Sequence, residues 1–416
     1  MLLCLFVFVL VKVDSLAPPQ PPRQGAIATG IYRNLFVEAG YQQNEIDARL
    51  SAIVKQLFEG NPSNESILYD GEDRSVNGSY IWDVSDNDVR TEGMSYGLMA
   101  MVQLNQQDKF DRLFRWYKKY MQHPSNDVRS GYASWHCQIS GSSMDQNPAS
   151  DGETFLLTSL LFGAQRWGDE GMINYTFEGS IIMNAMLNKE NPPCNIQGCQ
   201  SVVNMFGGAV MNDTSPLMVR FVPYAQAATY TDPSYHTPAF YEQWANSSIG
   251  IQWKNYWISV ANTSRTYFRR VAHPVTSLTP DYSGFDGTPY GSGTTFSFDA
   301  WRSGRNIAID LSWYAIDYDW QIGFCNRLHQ FFRNLKTWPT YGNQFSLEGN
   351  QLSGDHSPGL VAMNAVCALA SNQTIAWDFI HALWNTTTPS GRYRYYDGVL
   401  YLEAWLHLTG NYRAKW

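Results

Sequence analysis

Residues 91–121, TEGMSYGLMAMVQLNQQDKFDRLFRWYKKYM, contain two helical patterns of different character. From 92 to 104 the residues are small or apolar and almost uncharged, which predicts a helix buried on every side. From 107 to 121 charged residues share the helical repeat with Phe, Leu and Trp, which predicts a helix with one exposed face. This pair of a buried and a half-exposed helix is a pattern that can be followed along the rest of the chain.

The same two patterns recur elsewhere. Segments that begin near residues 151 and 357 are small and apolar, whereas those that begin near 43 and 324 carry charged faces. Helical periodicity is found at 43–59, 92–104, 107–121, 151–167, 179–188, 236–248, 251–262, 299–319, 324–336, 357–370 and 396–408, and strand-like alternation is rare. The alternation predicts an all-α fold, an (α/α)6 barrel with six inner helices ringed by six outer ones. A less ordered all-α bundle is the alternative.

The N-terminus has the composition of a secretory signal peptide. The apolar run LLCLFVFVLVKV is too short to span a bilayer, and small residues and the proline-rich PPQPPRQ follow it. We therefore expect residues 1–16 to form a signal peptide, with cleavage near Ser15, and residues 17–416 to form a single secreted domain. No later apolar stretch is long enough for a membrane anchor, and no low-complexity linker divides the mature chain.

Glycosylation sequons and cysteines agree with export. Eight N-x-S/T sequons begin at Asn64, Asn77, Asn174, Asn212, Asn246, Asn262, Asn372 and Asn385. Loss of the signal peptide removes Cys4 and leaves five cysteines, so at least one thiol stays free or pairs outside the chain. Cys194 and Cys199 bracket a short loop and are the best candidates for a local disulfide bond.

Composition narrows the classes of partner. The formal net charge is −8 and there is no basic patch, which argues against a nucleic-acid partner. Aromatic residues make up 15% of the chain, and their faces suit stacking on sugar rings, although they also fill cores. No group of His, Cys or carboxylate residues has the spacing of a metal site, so we expect neither a metal nor another cofactor.

A single acid, Glu92, stands where a turn-rich loop meets the first buried helix. Asp86, Asn87 and Asp88 are turn formers, and Thr91 is a good helix N-cap. This position suits a proton donor that opens a buried helix and faces a cleft. It equally suits an acid that only complements the positive end of the helix dipole.

A second acid begins another buried helix. In NPASDGETF, residues 147–155, Ser150 and Glu153 form a capping box. Capping accounts for these two residues but leaves Asp151, followed by Gly152, as an additional acid. We expect its carboxylate to approach whatever lies above the helix end.

Two aromatic residues near predicted helix starts are candidates for substrate contact. In TDPSYHTPAFYEQW, Asp232 is the N-cap and Pro233 the first helical residue, so Tyr235 lies in the first turn and can point into the same cleft. Trp135, in GYASWHC, could stack on a sugar. Each of the two could instead be an ordinary core residue.

A long irregular loop offers further carboxylates. The glycines and aromatic residues of PDYSGFDGTPYGSGTTF, residues 280–296, do not predict regular structure. Long irregular loops within compact domains are often functional. This one carries Asp281 and Asp286.

Six motifs together resemble a known family. Residues 32–60 and the motifs DNDVRTEGMSYGLM, NPASDGE, TDPSYHTPAFYE, PDYSGFDG and FDAWR occur in the order and at the spacing of glycoside hydrolase family 8. The members of that family are inverting enzymes on an (α/α)6 barrel that cleave β-1,4-linked glycans. The motifs look most like those of its reducing-end xylose-releasing exo-oligoxylanases, and the resemblance spans nearly the whole mature chain.

The resemblance implies a role for each candidate acid. It makes Glu92 the general acid, Asp286 the general base and Asp151 a carboxylate that binds and distorts the sugar at the point of cleavage. Asp281, five residues before Asp286, is the alternative base. The general acid must keep its proton although the helix dipole lowers its pKa, and we expect burial and the like charge of Asp151 to raise the pKa of Glu92.

The remaining site residues are expected to bind substrate. The resemblance makes Trp135 a stacking platform and Tyr235 a ligand of the attacking water, and we expect Arg90 and Arg302 to contact the sugar. In the exo-acting branch a loop with a histidine closes the cleft beyond the reducing-end sugars. Here residues 342–360 offer His356 for that role.

The substrate class follows from the same resemblance. We expect a monomeric glycosidase that acts on xylo-oligosaccharides or a related β-1,4-glycan, without a membrane partner. Within the family an endo-1,4-β-xylanase or a β-1,4-glucanase is the alternative. A catalytically silent glycan-binding barrel is the alternative outside the hydrolases.

Overall fold

The computed structural model describes residues 16–189, 194, 200–209, 214–224 and 226–416. Within these ranges there are fourteen α-helices: α1 (Ala26–Thr29), α2 (Leu35–Glu38), α3 (Gln43–Glu59), α4 (Thr91–Gln103), α5 (Gln107–Tyr120), α6 (Ser150–Trp167), α7 (Tyr175–Leu187), α8 (Pro238–Ala245), α9 (Lys254–Val271), α10 (Trp301–Tyr314), α11 (Tyr318–Arg333), α12 (Pro358–Val366), α13 (Ala376–Asn385) and α14 (Arg394–Leu408). Residues 1–15 of the predicted signal peptide, together with Asn212 and Cys199, lie outside the described residues.

From α3 onward the helices alternate between an outer and an inner ring. Every residue of the inner helix α4 except Glu92 is buried, whereas the outer helix α5 buries only its apolar face. The inner helices α4, α6, α8, α10, α12 and α14 each pack against the next, and α14 packs against α4 to close the ring. The fold is therefore the predicted (α/α)6 barrel.

The described residues also contain five short strands, which lie in the connections between helices. Strands β1 (Leu68–Asp70) and β2 (Ser79–Ile81) form an antiparallel pair. Strands β3 (Asp88–Arg90), β4 (His136–Gln138) and β5 (Ser143–Asp145) form an antiparallel sheet in the order β3-β4-β5. Because β3 runs directly into α4, this sheet fixes the entry to the helix that begins with Glu92.

Two predicted helix caps are not formed. The N-cap of α4 is Arg90, so Thr91 is the first helical residue and makes no capping bond. The N-cap of α6 is Ala149, and Glu153 accepts a hydrogen bond from the N–H of Ala133 at 2.8 Å in place of a capping-box bond to Ser150. Both helices begin one residue earlier than the sequence pattern suggested. The predicted cap at Asp232 does form, with its side chain accepting from Ser234 N–H at 2.6 Å.

Buried ion pairs link helices of the barrel. Arg265 of α9 donates to both carboxylate oxygens of Asp310 of α10 at 2.8 and 2.7 Å and to Glu242 of α8 at 2.9 Å. Arg305 of α10 pairs with Glu403 of α14 across the barrel interior. Removing one partner of such a pair costs about 3–5 kcal/mol because the other charge stays buried without compensation.

The described cysteines include one disulfide bond that the sequence did not predict. A disulfide bond joins Cys325 of α11 to Cys367, which follows α12, and the sequence pattern did not single this pair out. Among the described cysteines, Cys137 is buried and keeps a free thiol, as the odd count required. The predicted partner of Cys194 lies outside the described residues. In the described part of the chain, no helix has the length and apolar character needed to cross a membrane.

Candidate active site

A cavity of about 830 Å³ opens at the end of the barrel where the inner helices α4, α10 and α14 begin. Its lining includes Arg90, Glu92, Asp299, His356 and Tyr395. Acids and aromatic residues dominate this wall. The cavity is therefore suited to a polar ligand with apolar faces.

The guanidinium of Arg302, in the first turn of α10, gathers three carboxylates. Its Nη1 donates to Glu92 Oε2 at 2.8 Å and to Asp151 Oδ2 at 3.3 Å, and its Nη2 donates to Asp299 Oδ1 at 2.6 Å. Nη1 also donates to the hydroxyl of Tyr96 at 2.8 Å. Arg302 itself is only 1% exposed, so it holds the three carboxylates in place from the side of the protein interior.

Close approach of two helix starts brings Glu92 and Asp151 together. A Cβ at Gly152 would lie 2.5 Å from Thr91 Oγ1 and 2.9 Å from the Thr91 carbonyl carbon. Only glycine allows α4 and α6 to approach this closely. The close packing of α4 against α6 thus explains why a glycine follows Asp151 in the sequence.

Glu92 lies in an environment that favours its protonated form. Burial is the main cause that raises its pKa to about 7, and the charges of Asp151 and Asp299 add to the rise while Arg302 opposes it. The hydroxyl of Tyr395, from α14, lies 3.0 Å from Glu92 Oε1. The carboxyl group is still 16% exposed to the cavity, so it can meet a ligand.

Asp151 is more deeply buried than Glu92. Its Oδ1 accepts from the N–H of Gly152 at 2.8 Å, and its residue exposure is 6%. Burial raises its pKa, and the negative charge of Asp299 adds to the rise against the attraction of Arg302. Asp151 thus shares the guanidinium of Arg302 with Glu92 and Asp299.

Asp299 is a site residue that sequence reasoning missed. It lies in the turn before α10, lines the cavity and is 27% exposed. It belongs to the FDAWR motif, of which only Arg302 was predicted to be a site residue. The signal that could have found it is its place at the start of a buried helix, which Glu92 and Asp151 share.

The structure does not bring Asp286 to this cavity. Its side chain is exposed and accepts from the N–H of Thr288 at 2.9 Å within its own turn. It lines a separate depression with Phe285 and Arg270. The hydrogen bonds to Thr288 lower the pKa of Asp286. The expectation that Asp286 faces Glu92 across a cleft is not met, because its loop turns toward α9.

The position of Asp281 is intermediate between that of Asp299 and that of Asp286. Burial is the main cause that raises the pKa of Asp281 to about 7, and the negative charge of the nearby Asp299 adds to the rise. Its Oδ1 accepts from the N–H groups of Ser297 at 3.3 Å and Ala300 at 3.0 Å. The carboxylate therefore faces the main chain of the turn that carries Asp299.

Comparison with known proteins identifies the family. The model for glycosyl hydrolases family 8 matches residues 63–410. The chain belongs to glycoside hydrolase family 8. It is 36% identical over 402 residues to a reducing-end xylose-releasing exo-oligoxylanase of Paenibacillus barcinonensis, covering 94% of this chain and 98% of the relative. A second enzyme of that name, from Halalkalibacterium halodurans, is 35% identical over 402 residues, covering 94% of this chain and 96% of the relative.

Solved structures support the same family. A family 8 protein of Teredinibacter turnerae in complex with xylobiose superposes with a TM-score of 0.87 at 38% identity, over 94% of this chain and 99% of that one. The chain is thus a family 8 glycosidase, and the inverting mechanism is general for this family. Two carboxyl groups on opposite sides of the scissile bond are what that mechanism requires.

Two aromatic residues flank the acids of this family 8 site. Tyr235 is buried, and the guanidinium of Arg302 lies 5.6 Å from the centre of its ring. Trp135 is half-buried and stacks on His136 with ring centres 4.6 Å apart. The carbonyl of Trp135 accepts from the N–H of Thr91 at 2.9 Å, which places this residue beside the start of α4.

Three further residues expected at the site occupy different positions relative to the cavity. Arg90 lines it, but its guanidinium is paired with Asp83 at 3.3 Å and with Asp88 at 3.1 Å. His356 also lines it, and its Nδ1 donates to the carbonyl of Tyr341 at 2.8 Å. In the neutral ring this leaves Nε2 as an acceptor. Arg302, by contrast, is enclosed by the acids that it orders.

Proposed function

We propose that this family 8 glycosidase hydrolyses β-1,4-linked xylo-oligosaccharides and releases xylose from the reducing end, with Glu92 as general acid and Asp299 as general base. The observation that carries the catalytic assignment is the binding of Glu92 and Asp299 to opposite nitrogens of one buried guanidinium, that of Arg302. Both carboxyl groups line the same cavity. The substrate assignment rests on the named activities of the relatives.

The separation of the two acids fits an inverting reaction. Glu92 Oε2 lies 2.8 Å from Nη1 of Arg302, and Asp299 Oδ1 lies 2.6 Å from Nη2. Their distance cannot exceed these two contacts plus the width of one guanidinium, which keeps it below the upper limit of about 9.5 Å for inverting enzymes. Asp299 is thus a carboxylate partner no farther from Glu92 than an inverting mechanism allows.

The choice of Asp299 over Asp286 as base rests on position. A general base must come within hydrogen-bond reach of the water that it activates, directly or through one further water. Asp299 shares the cavity with Glu92, whereas Asp286 lines a different depression. Asp281 is enclosed by main-chain donors. Asp299 shares the guanidinium of Arg302 with Glu92 and is 27% exposed.

The proposed reaction uses the two acids on opposite faces of the sugar. The protonated carboxyl of Glu92 donates its proton to the glycosidic oxygen as that bond to the anomeric carbon breaks. The carboxylate of Asp299 accepts a proton from water as the water oxygen bonds to the anomeric carbon from the other face. The raised pKa of Glu92 supplies the proton near neutral pH, and Nη2 of Arg302 holds Oδ1 of Asp299 at 2.6 Å.

Three neighbouring residues complete this scheme. We propose that Asp151 binds the sugar at the point of cleavage, since it shares Arg302 with both catalytic acids. Tyr235, under the same guanidinium, is proposed to bind the attacking water. Trp135, beside the start of α4, is proposed to stack on a sugar ring.

Selection of the reducing end is proposed to involve His356. The segment that carries it forms part of the cavity wall, and Asp355 and Ser357 line the cavity with it. An imidazole acceptor and a carboxylate are suitable partners for the hydroxyl groups of a terminal sugar. A wall at this point would stop the chain beyond the cleavage site.

Digestion of xylotriose through xylohexaose, with native and with reduced ends, tests the substrate assignment. We expect one free xylose per turnover from the native oligosaccharides and little or no reaction once the reducing end is an alditol. Proton NMR should show the newly formed reducing end as the α-anomer before it mutarotates. Internal cleavage, or equal rates on reduced substrates, would instead identify an endo-acting enzyme. A β-anomeric product would rule out inversion.

We also propose that the protein is exported and N-glycosylated after cleavage of the signal peptide at residues 1–16. Seven of the eight sequon asparagines lie in the described residues, and all seven are exposed. N-glycans are bulky and require surface positions. The exposure supports the proposal.

Peptide mapping after enzymatic removal of N-glycans tests this export route. The protein should be produced in a eukaryotic secretory host. We expect conversion of asparagine to aspartate at several of the seven exposed sequons, and none at the exposed non-sequon residue Asn350. Recovery of unmodified asparagine at every sequon from secreted protein would contradict glycosylation.

A further inference from the structure

The turn that carries Asp299 is held from two sides. On the side-chain side, Arg302 binds its carboxylate at 2.6 Å. On the main-chain side, Oδ1 of Asp281 accepts hydrogen bonds from the N–H of Ser297 at 3.3 Å and of Ala300 at 3.0 Å. These two N–H groups lie on either side of Asp299 in the chain. One carboxylate oxygen thus closes the turn around it.

Asp281 is itself fixed to the stem of a long loop. Its N–H donates to the carbonyl of Thr295 at 2.9 Å, and the N–H of Tyr282 donates to the carbonyl of Gly293 at 2.8 Å. These bonds join the two ends of the loop before it reaches the turn. The Asp281 side chain therefore extends the connection from this stem to the start of α10.

Accurate placement matters for a general base. Misplacement of a reacting group by about 1 Å can cost about a hundredfold in rate. The Asp299 side chain is 27% exposed and follows a glycine-rich loop, so its own packing constrains it little. Hydrogen bonds to the main chain at positions 297 and 300 supply part of that constraint.

We propose that Asp281 is a positioning residue for the base, because its carboxylate holds the Ser297–Ala300 turn in the conformation that presents Asp299 to the cavity. This inference rests on the proposed role of Asp299. In this role Asp281 acts through Oδ1, which accepts the two N–H groups of the turn, and not as the group that activates water. The role requires an acceptor oxygen and does not require a charge.

An acceptor without charge should therefore replace it. Burial and the nearby Asp299 raise the pKa of Asp281 to about 7, so the group is partly neutral near neutral pH and its Oδ1 can still accept. Asparagine keeps that oxygen, whereas alanine removes it. A general base would not tolerate either change.

The test compares Asp281→Asn, Asp281→Ala and Asp299→Ala on xylotetraose. We expect kcat of Asp281→Asn within about fivefold of the parent, and kcat of Asp281→Ala reduced about thirtyfold or more with KM changed less than about threefold. On an aryl β-xylobioside, sodium azide should restore turnover to Asp299→Ala and to neither Asp281 variant. If Asp281→Ala does not fold, Asp281→Ser replaces it, with the same expectation.

A matched control separates positioning from loss of stability. Asn34 accepts from the N–H of Val37 at 3.1 Å at the start of α2, away from the cavity. Asn34→Ala loses a helix cap and should lower Tm without changing kcat. A fall in kcat for Asp281→Ala measured well below its own Tm is then not a stability effect.

Two kinds of result would overturn the inference. Full activity of Asp281→Ala would show that the turn holds without it. An inactive Asp281→Asn whose turnover azide restores would make Asp281 a base. If Asp299→Ala is fully active, Asp299 is not the general base and that part of the proposed function is wrong. If Asp299→Ala is inactive and Asp281→Ala is active, only the positioning role of Asp281 is refuted.

Discussion

Glu92→Gln is expected to fold as the parent does and to lose at least about a hundredfold in kcat on xylo-oligosaccharides, the low end of a general-acid contribution. Glutamine is close in shape to glutamate and can still accept from Nη1 of Arg302, but it cannot protonate the leaving oxygen. The loss should shrink on an aryl xylobioside, because a good leaving group needs no proton. Steady-state kinetics on the two substrates measure this difference.

The pH dependence of turnover is a second test of the role of Glu92 as general acid. Burial raises the pKa of Glu92 to about 7, and the active form of an acid is the protonated one. Turnover of the parent should therefore fall as pH rises through about 7. The variant should lack this fall on the aryl substrate. Near-parental turnover of Glu92→Gln on xylotetraose would remove Glu92 from the mechanism.

Glu153→Gln is the matched control for this variant. Glu153 is also buried near the start of an inner helix, and burial raises its pKa to about 8. It accepts from the N–H of Ala133, and glutamine can do the same. We expect its kcat to stay close to the parental value, which would show that loss of a buried acid alone does not abolish activity.

Asp299→Ala is expected to lose about a hundredfold to ten-thousandfold in kcat, the range of a general-base contribution. The variant leaves Glu92 in place, so the leaving group can still be protonated while water is no longer activated. Azide is smaller than a side chain and needs no deprotonation, so it should occupy the space left by the carboxylate and attack the anomeric carbon. The glycosyl azide should have the α configuration.

Asp286→Ala decides between the two candidate bases. Asp286 is exposed in another depression, so we expect kcat within about twofold of the parent. Loss of activity in Asp286→Ala, with azide rescue, together with an active Asp299→Ala would return the base to the 280–296 loop. Kinetics of both variants on one aryl xylobioside, with and without azide, give the answer.

The fold was predictable because the composition of each helix indicates how much of its surface is buried. The alternation of small apolar helices with charged ones predicted the double ring, and the bounds of α3 were predicted to the residue. Helix α13, the ten residues AWDFIHALWN, was missed. The strands were missed because three residues cannot show alternation.

The candidate site was only partly predictable, for a geometric reason. Glu92 and Asp151 were found because each begins a buried helix, and the barrel brings those helix starts to one end. Asp286 matched a motif, but a motif in a loop does not fix the direction of the loop. Asp299 also lies at the start of a buried helix, as Glu92 and Asp151 do, but it was not predicted. The caps predicted at Thr91 and Ser150 did not form because contacts with neighbouring elements compete with local capping, whereas the cap predicted at Asp232 did form.

The contact between Tyr395 and Glu92 joins positions 303 residues apart in the chain, at 3.0 Å. It comes from the last inner helix, which also closes the ring against α4. A ribosome that makes this protein therefore completes the surroundings of the proton donor only when almost the whole chain has been synthesised. Chains that end before α14 lack both the closing wall and the tyrosine, so we expect premature termination to yield no partially active enzyme.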